Sequence, residues 1–224
     1  MKNHFILSVV IILTSACHSQ SRFGIFAGPQ TTSAKYSVTG IKQPTNYKQG
    51  FSAGIGLKIP FESHLFFSPA AFYSLKGYKV KFNHYAFPPD TTATNNNTSI
   101  HTIELAFLLQ VDLGKKPSHF FIKAGPSLDF QIAGKEKFNL KTGAAVDRNM
   151  SYGFTTYGHY SANLLMQLGF ESSSGFMIFG QYTLGLSNLN NADNGPTIKH
   201  RAYGISVGKY FNKKKLVLDT RNKE

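Results

Sequence analysis

The chain has no tryptophan, a single cysteine and few charges: 16% of its 224 residues are charged. A lone thiol at Cys17 excludes an intrachain disulfide framework. The apolar run Phe5–Leu13 is shorter than the roughly 20 residues a spanning helix needs, and no later stretch is longer. Any membrane crossing must therefore use strands. There is no phosphate-cradling glycine loop, no His/Cys metal spacing and no nucleophile elbow, so neither cofactor nor metal is expected. Acidic residues are scarce, 11 against 24 basic ones, which gives a formal charge of +13. Much of the excess falls in segments that read as loops or ends: Lys35, Lys42, Lys48, Lys115, Lys116, Lys199, Arg201 and Lys213–Lys215. It forms no single base-reading stripe, so it reads as scattered, solvated charge and no nucleic-acid partner is expected.

What is present is glycine and aromatic: 20 Gly, 20 Phe and 11 Tyr. With so little charge, this composition reads as an all-β protein with many turns, of a length that suits one domain. Lys2 and His4 precede Phe5–Leu13, and small residues follow, the pattern of a secretory signal peptide over residues 1–19. Two fates are open to Cys17. Leu-Thr-Ser-Ala-Cys resembles a lipoprotein signal, whereas ordinary cleavage near Ser19–Gln20 leaves a mature chain without cysteine. Residues 20–211 then form the folded domain, and 212–224 a basic periplasmic tail.

Residues 99–133 set the pattern for that domain. Ile103, Leu105, Phe107, Leu109, Val111 and Leu113 alternate with Thr102, Glu104, Ala106, Gln110 and Asp112. After Gly-Lys-Lys-Pro-Ser-His the parity switches: Phe120, Ile122, Ala124, Leu128, Phe130 and Ile132 alternate with Lys123, Gly125, Ser127, Asp129 and Gln131. Successive strand side chains point to opposite faces, so this is an antiparallel hairpin with one apolar and one polar face. The same alternation marks Arg22–Pro29, Gly50–Pro60, Leu65–Phe82, Tyr157–Glu171, Phe176–Leu186 and His200–Phe211. About eight strands result, linked alternately by long polar loops (31–49, 83–98, 134–156, 188–199) and short turns. That regularity is the mark of an eight-stranded antiparallel up-and-down transmembrane β-barrel of the outer-membrane type.

Which face is inside decides the class. A soluble barrel binding a small apolar ligand would turn Leu105, Leu109, Leu164 and Leu168 inward. A membrane barrel turns the apolar face to lipid. Phe51, Phe67, Tyr73, Phe120, Phe130, Phe170, Phe176 and Phe211 lie near strand ends on the apolar faces, as an interfacial girdle requires. The opposite faces carry Gly, Ser and charges of both signs, which suits a narrow lumen that fills itself and pairs its own ions. Lys58, Lys76, Glu104, Asp112, Lys123, Asp129 and Glu171 are the expected lumen network. An eight-stranded barrel has room only for its own side chains, so this network is expected to plug rather than conduct. A lipid-modifying enzyme would instead need His159 and Ser161 together at the lipid face, but their parity is that of the lumen. No catalytic residue is assigned. Outer-membrane lipid is the expected surrounding, and the loops are the expected sites for protein partners of a monomer.

Several stretches resemble one family. Phe-Gly-Ile-Phe-Ala-Gly-Pro at 23–29, Gly-Phe-Ser-Ala-Gly-Ile-Gly-Leu-Lys-Ile-Pro at 50–60 and Phe-Tyr-Ser-Leu-Lys-Gly-Tyr-Lys at 72–79 look like its first three strands. Ile-Glu-Leu at 103–105 and Phe-Ile-Lys-Ala-Gly-Pro at 121–126 match its central hairpin, with Ala106 where the family often has proline. Together they are similar to the PorT-type outer-membrane β-barrel family common in Bacteroidota. The resemblance implies the barrel fold and an outer-membrane location. The family's namesake serves a protein-secretion system, but most members have no assigned activity.

Overall fold

The structure, a computed structural model, describes residues 21–211. The signal-peptide reading of 1–19, both fates of Cys17 and the tail 212–224 lie outside the described residues. The strands are β1 (Arg22–Val38), β2 (Ile41–Lys42), β3 (Thr45–Asn46), β4 (Lys48–Glu62), β5 (Leu65–Lys81), β6 (Asn95–Leu113), β7 (His119–Asn139), β8 (Ala145–Asn149), β9 (Tyr160–Glu171), β10 (Phe176–Gly185) and β11 (Thr197–Phe211). Eight of them form a ring in the order β1-β4-β5-β6-β7-β9-β10-β11, and β11 returns to pair β1. The closing seam runs antiparallel from Phe23 opposite Phe211 to Ser37 opposite Thr197. A closed ring leaves no open sheet edge. The short strands β2, β3 and β8 extend β1, β5 and β7 at one end.

At the other end the links are short. Gly114 (φ 108°) and Gly175 (φ 82°) take the left-handed backbone that two of these tight turns require. Both ends of the described chain lie on this short-turn side.

The apolar faces point outward. Leu109 is 54% and Leu168 59% exposed, and Leu105 and Leu164 share their faces. The soluble, ligand-holding alternative is thereby overturned. On β7 and β9 the outward face gives the height of the apolar band. Phe120 stands opposite Phe170 and Phe130 opposite Tyr160, and each pair packs edge to face at 5.3 Å. Between the pairs the outward residues are Ile122, Ala124, Pro126 and Leu128 on β7, and Ala162, Leu164, Met166 and Leu168 on β9. The pairs are ten residues apart. At about 3.3 Å per residue and a tilt near 40°, this is about 25 Å along the barrel axis, the height of an outer-membrane apolar band.

Beyond the upper aromatic row the pattern inverts, and here the loop boundaries are corrected. Segment 31–49 is mostly strand, with β1 running to Val38 and β4 starting at Lys48. β6 starts at Asn95, β7 continues to Asn139, and β11 starts at Thr197. In these extensions Tyr36, Tyr78, Ile100, Phe138 and Ile198 are buried inside, while Lys35, Lys79, Lys81, Lys135 and Lys137 are exposed outside. A strand that leaves the bilayer for water must hide its apolar side chains inside the ring, as in a soluble barrel. The true connections are 39–47, 82–94, 140–159 and 186–196.

Candidate functional site: a lumen closed in layers

Four layers fill the lumen. The lowest, beside the short turns, is ionic. The Lys58 ammonium lies 2.6 Å from Asp112 Oδ2 and 2.9 Å from Glu171 Oε2. Glu171 Oε1 accepts from Arg22 at 2.5 Å, Gln110 donates to Asp112 Oδ1 at 2.6 Å, and His119 Nε2 is 3.0 Å from Asp112. Lys58 also sits 4.4 Å from the centroid of the Phe66 ring. Its alkyl stem and charge are both satisfied, which a fully buried lysine requires.

The second layer is apolar: Phe26, Phe72, Ala106, Leu108, Phe121, Leu165, Met177, Phe179 and Tyr210 pack together. Glycines directly opposite on the neighbouring strands make room for the rings. A Cβ at Gly169 would stand 2.5 Å from Phe179 Cβ, and one at Gly24 would stand 2.6 Å from the Tyr210 ring. The strand glycines thus serve close approach. A cavity of about 10 Å³ remains here, room for no more than one water.

The third layer is a buried triad. Lys76 Nζ lies 2.8 Å from Glu104 Oε2 and 2.8 Å from both Asp129 oxygens. Ser127 donates to Glu104 at 2.5 Å, and Ser161 donates to Asp129 at 3.3 Å. The fourth layer, at the level of the strand extensions, is again apolar. Tyr36, Tyr78, Ile100 and Ile198 from the strands meet Ala86, Met150, Tyr157 and Leu189 from the connections. Tyr157 donates to Glu136 at 3.1 Å, and Arg148 Nε donates to the same carboxylate at 3.1 Å. Burial, and then the neighbouring Tyr78 and Glu136, push the Tyr157 phenol well above its usual pKa, so it stays a donor. Arg148 also donates to the Pro89 carbonyl and Tyr36 to that of Pro88, which draws segment 82–94 inward.

Of the seven residues expected in one network, the structure gathers Lys58, Asp112 and Glu171 low in the lumen, and Lys76, Glu104 and Asp129 higher. Lys123 joins neither group. Its ammonium donates to the Tyr210 hydroxyl at 3.0 Å and lies 4.9 Å from the Phe121 ring centroid. Strand parity places a residue on a face but gives no height along the axis, because height depends on the stagger between strands. Arg22, Gln110 and His119 join the lower group; the sequence put Gln110 on the polar face, but none of the three was counted in the expected network. Each has lumen parity, so that signal was present. With Arg22 and Lys123 counted, four cations stand with four carboxylates in the three lower layers, and Arg148 pairs with Glu136 in the fourth.

Ser161 is buried in the lumen, where Gln131 donates to it, and His159 is exposed against Tyr152 and Tyr160. The pair therefore makes no lipid-facing site. Among the described residues no group of three or more His, Cys, Asp or Glu is arranged to hold a metal ion, and no helix is long and apolar enough to cross a membrane.

No curated protein sequence matches the chain. Similar solved structures include Ail, the attachment invasion locus protein of Yersinia pestis (13% identity, 86% of this chain and 99% of that one, TM-score 0.45). Others are OprG from Pseudomonas aeruginosa (15%, 87% and 98%, TM-score 0.49) and Neisserial surface protein A (15%, 84% and 97%, TM-score 0.40). The profile of the outer membrane protein beta-barrel domain matches residues 15–191, well over half the chain. With the closed ring, the outward apolar band and the inward ions already in place, the chain belongs to the outer membrane protein beta-barrel domain family and resides in the outer membrane.

Proposed function

We propose that this protein is a non-conducting, non-catalytic barrel of the PorT type, working as a single chain. Its lumen is a structural post, and its extracellular end is the recognition surface. The observation that carries this reading is the fourfold closure of the lumen. Two ionic and two apolar layers alternate along the axis, which leaves no continuous path for a solute. Among the described residues Ser161 is buried in the lumen and His159 is exposed outside it, so the pair that lipid chemistry would need does not meet. The extracellular connections, by contrast, are tied into one ordered cap: bridges join Ala93 to Leu140 and Tyr157 to Asn190. Loops held on a rigid scaffold are where binding residues concentrate.

The test is truncation of 82–94 and 140–159 to short turns, with the barrel retained. Envelope cross-linking of the full-length protein is expected to yield specific protein adducts that the truncated form loses, while both forms keep the gel mobility of a folded barrel. Adducts that persist unchanged after truncation would contradict the proposal.

A further inference from the structure

The seam between β1 and β11 carries an unbalanced positive charge just above the upper aromatic row. Lys35 stands directly opposite Lys199, and Arg201 stands opposite Ser33. Like charges placed opposite each other in a sheet destabilise it. None of Lys35, Lys42, Lys199 and Arg201 has a carboxylate within 4.0 Å among the described residues. In the lumen Arg22, Lys58 and Lys76 each meet a carboxylate, whereas these four outer cations meet none.

Three of these cations, Lys35, Lys42 and Arg201, line a groove of about 560 Å³ together with Thr45 and Tyr47. Tyr47 is also the link to the membrane. Its ring packs on Tyr203 at 6.3 Å, and Tyr203 packs on Tyr182 at 4.8 Å. Tyrosines in such a row sit at headgroup level. Lower on the same seam lies an apolar depression of about 380 Å³ lined by Ile25, Ala27, Phe176 and Val207. Val207 is six residues from Arg201 on one strand, about 15 Å along the barrel axis at 3.3 Å per residue and the usual tilt. An apolar trough therefore lies on the lipid-facing side of the seam below a cluster of unpaired cations, with exposed Ile205 and Tyr203 between them.

We propose that the β1/β11 seam binds a phosphorylated lipid of the outer leaflet, with an acyl chain along Ile25 and Val207 and a headgroup phosphate among Lys35, Lys42 and Arg201. Guanidinium and ammonium groups suit phosphate oxygens, and Arg201 can offer two parallel donors. A soluble anion would gain nothing from the trough, and that separates a lipid from free phosphate.

The test uses the full-length protein refolded in neutral detergent, titrated with diphosphoryl lipid A, with the same lipid stripped of phosphate, and with inorganic phosphate. The variant is Lys35→Ser/Lys42→Ser/Arg201→Ser, and folding is checked by heat-modifiable gel mobility. Removing clustered like charges spares the fold, so the variant is expected to stay folded. Each cation near an anionic surface contributes about fivefold, so the triple variant should bind diphosphoryl lipid A about a hundredfold more weakly. Both proteins should bind the phosphate-free lipid equally weakly. Ile25→Ser/Val207→Ser should also weaken binding of the diphosphoryl lipid. Equal affinity of wild type and the triple variant for diphosphoryl lipid A would overturn the proposal. So would inorganic phosphate binding as tightly as the lipid.

Discussion

Lys76 and Asp129 form a two-pronged ion pair, with the ammonium 2.8 Å from each carboxylate oxygen and both side chains sealed from solvent. Glu104 completes the triad from the neighbouring strand. Taking such charges out of water is costly, and their mutual attraction offsets that cost only while every partner is present. Lys76→Met leaves two carboxylates buried side by side. It should lower the unfolding free energy of the refolded barrel by about 3–5 kcal/mol in urea titration. Adding Glu104→Gln and Asp129→Asn to the same variant should recover most of that loss. A single variant as stable as the wild type would show that the triad is not closed as described.

The apolar band makes a depth-dependent prediction. Leu109 lies opposite Ala124, near mid-height between the aromatic pairs, and Leu113 lies opposite Phe120 at the lower row. Leu109→Arg should cost about 2–4 kcal/mol of folding stability in bilayers, and Leu113→Arg no more than about 1. Equal costs at the two sites would mean that the band is misplaced along the axis.

The hairpin of β7 with β8 answers to acid. Asp147 accepts from Lys137 at 2.8 Å and lies 3.4 Å from Lys135, and the Lys137 hydrogen bond leads in holding its carboxyl below the ordinary carboxylate range. A carboxylate with a lowered folded-state pKa stabilises the fold above its unfolded pKa of about 3.9, and this is lost as the pH falls through the lower folded value. Protection of the amides over 145–149, taken relative to the intrinsic exchange rate at each pH, should therefore fall below about pH 4, ahead of the barrel strands. Lys137→Ala should return the Asp147 titration, read by NMR, towards its ordinary value. A titration unmoved by that substitution would exclude the pairing.

Much of this fold was legible because a strand in a membrane barrel states its two faces residue by residue. Ile103 to Leu113 and Phe120 to Ile132 gave the parity of the central hairpin, and the structure keeps it. The strand extensions were missed for a physical reason. In Thr31–Val38 the polarity is reversed, with Tyr36 and Val38 inside and Lys35 outside, so an apolar-out rule reads a strand in water as a loop. The seven lumen residues illustrate the other limit. Their faces follow from parity, but the split into a Lys58 group and a Lys76 group, with Lys123 turned to aromatic rings, follows from stagger. Phe26 and Phe179 show it again. Both have lumen parity, yet only the glycines beside them reveal that whole rings fit inside.

Single-channel recording on the full-length protein in planar bilayers tests the closed lumen most directly. Four layers across the axis predict a flat trace at both polarities, with no discrete steps after insertion is confirmed by heat-modifiable mobility. Reproducible steps of one unit size from the folded protein would contradict the closure and return the ion layers to the role of a pore lining.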